Sequence, residues 1–137
     1  MILQADAYGI QAVPFRRTVE KYKGRVDWYL LTDPARQTLN LRETIREATG
    51  NLSLPFGLLH ALCELAFRKT GFRLFSKRSN YRSGMFCAEY VSRCFKKGGL
   101  DLLPAQADIH TLPDDVKESG FFRLESTLAD NRRGIAA

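Results

Sequence analysis

Met85-Phe86-Cys87-Ala88-Glu89-Tyr90-Val91-Ser92-Arg93-Cys94-Phe95-Lys96-Lys97-Gly98-Gly99 is the stretch on which the rest of the chain can be oriented. Cys87, Tyr90, Val91, Cys94 and Phe95 recur at i, i+3, i+4, i+7 and i+8, the spacing of one continuous apolar helix face. Ser83 and Gly84 open the run, and Gly98-Gly99 supplies a stop where positive φ is tolerated. Cys87 then falls in the first helical turn. Free backbone N–H groups and the helix dipole favour negative charge there, so a thiol in that place is biased toward the thiolate. Residue type alone argues the other way, because cysteine is among the most buried residues and Cys87 heads an apolar stripe.

Outward toward the N-terminus, Ile2 to Val13 reads as a short strand or strand end, with alternation at Ile10-Gln11-Ala12-Val13. Pro14 opens a helix whose Phe15, Val19 and Tyr22 share a face and which Gly24 ends. Arg25 to Leu31 is the strongest strand, rich in aromatic and β-branched residues. Asp33-Pro34 starts a helix expected to continue to Thr49, with Gly50 as its stop. A second helix follows Pro55-Phe56-Gly57, with Leu58, Leu59, Leu62, Leu65 and Ala66 inward, and Thr70 to Arg82 reads as a loop. Outward toward the C-terminus, Pro113, Asp114 and Asp115 form a first helical turn whose acids suit the helix dipole. Phe121 to Glu125 closes the fold as a strand. The expectation is one domain over 1–127 and a frayed tail over 128–137.

Charge is more informative in its placement than in its total. The chain has 21 Lys and Arg against 15 Asp and Glu, and its excess of +6 equals the six bases of one acid-free segment: Arg68, Lys69, Arg73, Lys77, Arg78 and Arg82. Phe67, Phe72 and Phe75 interleave with them, which suits an anionic surface such as lipid headgroups or a cell-wall polymer; a solvated basic loop is the plainer reading. Nucleic acid ranks last as a partner, because no recognition motif accompanies the charge. No apolar run reaches the roughly 20 residues of a bilayer span, and no export signal is legible, so the expectation is a soluble, cytoplasmic protein. Three cysteines, Cys63, Cys87 and Cys94, then read as reduced thiols. With His60 and His110 as the only histidines and no Cys-x-x-Cys spacing, no metal or other cofactor is expected.

Phe86-Cys87-Ala88-Glu89-Tyr90 through Gly98-Gly99-Leu100, followed by Leu112-Pro113-Asp114-Asp115-Val116 and Ser119, resembles the C-terminal half of the circularly permuted papain-like (NlpC-type) cysteine hydrolases, which include YiiX-like amidases. In that family a Cys-Ser-Glu triplet opens a helix and a Thr-Pro-x-Asp segment follows. Here alanine replaces the serine and the threonine stands one place earlier, at Thr111. The likeness extends more weakly over Ile2 to Leu124. It implies an α+β papain-like domain, a small antiparallel sheet packed against helices, and Cys87 as the nucleophile of a thiol hydrolase or acyltransferase acting on an amide, peptide or ester/thioester bond. Glu89 carries over as a motif residue without an assigned role.

The family places its catalytic histidine on an upstream strand that has no counterpart here, since Met1 to Asp6 resembles the segment after it. The chain is therefore expected to begin inside the domain, with an unpaired edge that would favour a homodimer. Of the resident histidines, His110 is the candidate base, because its loop can fold toward the Cys87 helix; His60 sits beside Leu59 and Ala61 within a helix. The competing class is a non-catalytic scaffold that binds an anionic partner through the segment 68–82.

Overall fold

The computed structural model describes residues 1–57 and 85–131. The expected helix after Gly57, with His60 and Cys63, the basic segment 68–82 and the last residues of the tail lie outside them. The described chain is α+β. Its elements are β1 (Ile2–Asp6), β2 (Gly9–Val13), α1 (Phe15–Lys21), β3 (Arg25–Leu31), α2 (Asp33–Thr38), α3 (Leu41–Gly50), α4 (Cys87–Lys97), a 3-10 turn (Asp108–His110), α5 (Pro113–Glu118) and β4 (Phe122–Asp130).

Two separate two-stranded antiparallel sheets form, β1 with β2 and β3 with β4. The stretch expected as one strand over Ile2 to Val13 is a hairpin, with Ile2 opposite Val13 and Asp6 opposite Gly9. Asp6 makes the turn: its Oδ1 accepts from the Tyr8 N–H at 2.9 Å, and Gly9 takes φ of 101°. A side chain at Gly9 would also strike the Leu54 carbonyl oxygen, 2.5 Å from where Cβ would lie.

The expected single helix over 34–49 is two helices. Asn40 interrupts it, accepting from the Glu43 N–H through its side chain at 3.2 Å and donating its own N–H to the Gly98 carbonyl at 2.8 Å. An Asn followed three residues later by Glu is a helix-start signature, and here it outweighs the helical periodicity around it. β4 also runs further than expected. It pairs Arg25 with Asp130, so Leu128 to Asp130 belong to a strand rather than to a frayed tail. Thr127 Oγ1 donates to Asp27 Oδ1 at 2.7 Å and fixes this end of the ladder.

Helix α4 is shared by two apolar clusters. Tyr90 and Cys94 join Ile10, Ala48 and Met85, with Ala5 and Leu54 against them. Val91 and Phe95 pack on Ala35, Leu100 and Leu102, alongside Leu31, Leu39, Phe121 and Phe122. Phe95 meets Phe122 edge-on at 5.5 Å between ring centroids, tying β4 to the helix. Phe86, Ile10, Met85 and Leu102 are the largest fully buried apolar side chains, each contributing about 1.5–3 kcal/mol by leaving water.

The C-terminal end of α4 is set by Gly98. A Cβ there would lie 2.0 Å from Thr44 Oγ1 and 2.8 Å from Leu39 Cδ1, so the bare backbone lets α4 close on the α2–α3 junction. Gly98→Ala should therefore lower stability by about 1–3 kcal/mol through overpacking. A urea denaturation midpoint unchanged by the substitution would show that this junction yields freely.

Candidate functional site

The approach to α4 is pinned before the helix begins. Met85 donates its N–H to the Pro55 carbonyl at 3.2 Å and accepts from the Gly57 N–H at 3.0 Å, so residues 55–57 hold the strand-like entry in place. Phe86 takes the N-cap position with extended φ and ψ, which sends the chain from that entry into the first turn. Its side chain is apolar and caps nothing. The first-turn amides of Cys87 and Ala88 consequently meet no cap side chain, and with the helix dipole they favour negative charge at that end.

Cys87 is the exception in its neighbourhood. Met85, Phe86, Ala88, Glu89 and Tyr90 are all buried, whereas Cys87 between them is exposed. The apolar stripe that the sequence suggested thus loses its first member. Cys94, on the same side of the helix and two turns on, remains in the core, where burial pushes its thiol up to about 12. One cysteine of this helix is presented and the other is sealed as a neutral thiol.

Glu89 is buried at 7% exposure and occupies the third helical position. Its carboxyl reaches back to accept from the Phe86 N–H, one half of a capping box, while Oε2 has no hydrogen-bond partner among the described residues. Burial pushes this carboxyl up to about 7, against the pull of the Phe86 amide and Arg93; Asp108 adds to the rise and His110 opposes it. Arg93 in turn pairs with Glu47 of α3, Nε to Oε1 at 2.6 Å.

The 3-10 turn packs on α4 and delivers the other polar groups. Ser92, fully buried, donates to Asp108 Oδ1 at 2.9 Å, and Lys96 reaches Asp101 at 2.9 Å and Asp108 at 3.9 Å. The His110 carbonyl accepts from Gln106 Nε2 at 2.6 Å, which fixes the end of the turn. Thr111 follows, fully buried, its Oγ1 without a hydrogen-bond partner among the described residues. Leu112 caps α5, and Asp115 Oδ2 accepts its N–H at 2.7 Å, so the acids of that turn serve as helix-start charges, as their positions suggested.

Of the residues singled out in the sequence, Cys87 and Glu89 share one helix end, and His110 lies close enough for its charge to act on Glu89. Arg68, Lys69, Arg73, Lys77, Arg78 and Arg82 fall outside the described residues. Ser92 and Asp108 were missed. Ser92 carried a signal, a polar residue inside a largely buried helix, but its partner sixteen residues later carried none. Among the described residues, no cluster of His, Cys, Asp and Glu is arranged to hold a metal ion, and no helix is long and apolar enough to cross a membrane. Comparison with protein-family models, curated proteins and solved structures finds no match to this chain.

The Glu89 carboxyl makes stability depend on pH. Its folded-state value, about 7, lies above the ordinary 4.5, so the folded chain holds this proton more tightly than the unfolded chain does. That stabilisation is complete below about pH 4.5 and is lost as pH rises through about 7, a change on the order of 3 kcal/mol. Glu89→Gln keeps an acceptor for the Phe86 amide and removes the titration. Relative to this variant, the wild-type unfolding free energy should fall between about pH 5 and pH 8. A constant difference across that range would show that the carboxyl is ionised throughout.

Proposed function

We propose that this protein is a thiol-dependent hydrolase or acyltransferase that attacks an amide, peptide or ester/thioester carbonyl through Cys87. The supporting observation is the exposure of a cysteine at the first turn of an otherwise buried helix start. The thiol faces solvent between buried neighbours, and the helix end favours its anion. The likeness of Cys87-Ala88-Glu89 and its flanks to permuted papain-like enzymes points the same way.

The chemistry needs no added group. Cys87 Sγ gives up its proton to a base and attacks the carbonyl carbon, forming a C–S bond while the carbonyl electrons move to oxygen. First-turn amides of α4 face the developing oxyanion. Collapse expels the amine, alcohol or thiol, which takes the proton from the base, and leaves an acyl thioester on Cys87. Water, or an acceptor nucleophile, then releases the acyl group by the same steps. The role of base falls to His110, carried on the 3-10 turn against α4, since imidazole exchanges protons near neutral pH.

Activated acyl esters and thioesters provide the test. Cys87→Ala should abolish turnover, and His110→Ala should lower kcat by a factor of about 100 or more. Turnover that survives Cys87→Ala would overturn the reading, whereas unchanged kcat in His110→Ala would transfer the proton to another group.

A further inference from the structure

Among the described residues, Glu89 is the buried ionisable carboxylate of the core, and its side chain is folded back onto the very helix end that carries Cys87. The two groups draw on the same resource. Helix N-terminal amides stabilise either a thiolate at Cys87 or a carboxylate at Glu89, and a second negative charge there repels the first.

The surroundings leave Glu89 only partly neutralised. On its own helix, Arg93 is engaged with Glu47 of α3, and Lys96 with Asp101 and Asp108. The 3-10 turn brings Asp108, which opposes ionisation, and His110, which favours it. From α5, Asp115 accepts from the Leu112 amide and Asp114 pairs with Lys117; from β1, Asp6 is bonded to Gln4, Gln11 and Tyr8. Oε2 itself has no hydrogen-bond partner among the described residues. A carboxyl so placed holds a proton at little cost, since one oxygen suffices for the Phe86 amide.

We propose that Glu89 is the positioning residue of the Cys87 site and its proton switch: it anchors the first turn of α4 through the Phe86 amide, and its ionisation opposes formation of the Cys87 thiolate. This deepens the hydrolase reading and rests on it for its biological meaning. Burial sets the switch near neutrality, with the carboxyl pushed up to about 7. Below that pH the helix end is available to sulfur alone; above it the carboxylate competes.

The test is the rate of iodoacetamide alkylation at Cys87, followed by peptide mass mapping across about pH 5.5 to 9 at fixed ionic strength, in wild type and Glu89→Gln. The two proteins should react equally at the acid end, and Glu89→Gln should react about fivefold faster near pH 8, the order of effect two like charges at one helix end exert once an effective dielectric of about 20 and screening by salt are both counted. Superimposable profiles would overturn the proposal. A second measurement needs no variant that must fold: the carbon-13 shift of the Glu89 carboxyl in the wild-type chain. A midpoint near neutrality supports the switch, and one in the ordinary carboxylate range overturns it. Neither readout requires turnover, so an alkylation profile governed by Glu89 in a protein that never forms an acyl-enzyme would sink the hydrolase reading and leave the switch intact.

Discussion

Helix α4 has to satisfy two cores at once, and that requirement fixes its rotation. Tyr90 and Cys94 fill the cluster built on Ile10 and Ala48, while Val91 and Phe95 fill the one built on Leu100 and Leu102. Tyr90 also donates its hydroxyl to the Ala48 carbonyl at 2.9 Å, locking α4 against α3. A helix held on two sides cannot turn to hide its first residue. Cys87 lies on the Cys94 side two turns nearer the start, and it is exposed where Cys94 is buried. Exposure of the thiol therefore follows from packing further along the same helix.

The polar interior of this region is costly, and its cost is concentrated where the chemistry would occur. Among the described residues, Glu89 Oε2 and Thr111 Oγ1 are buried without hydrogen-bond partners, although buried polar groups are normally satisfied. Arg93, Glu47, Ser92 and Asp108, by contrast, form close contacts within the same neighbourhood. Unsatisfied groups beside a satisfied network weaken folding, and a core designed for stability alone would replace them with apolar side chains. Their position, at and beside the helix that presents Cys87, is the pattern expected where function competes with stability.

Periodicity made the main helix legible and junctions remained hidden. The stripe from Tyr90 to Phe95 declared α4, Gly98-Gly99 declared its end, and the aromatic run from Arg25 declared β3, because each signal is local and repeats. The break at Asn40 and the hairpin turn at Asp6 rest on single side-chain hydrogen bonds, which a longer periodic or alternating run overshadowed. β4 was read too short because its end is fixed by pairing with Arg25 and by the Thr127–Asp27 bond, about a hundred residues away in sequence. At the site, Cys87 and Glu89 were visible as neighbours in one motif. The burial of Glu89 and the approach of Asp108 were not, since both depend on how the 3-10 turn folds back over the helix.

The central claim is that Cys87 forms a covalent acyl intermediate. Mixing the protein with an activated thioester or ester and following the intact mass on the time scale of turnover tests it directly. The account predicts a transient adduct of one acyl group, mapped to Cys87 and absent from Cys94, which decays as product appears. Labelling that never reaches Cys87, or that accumulates there without release, would contradict it.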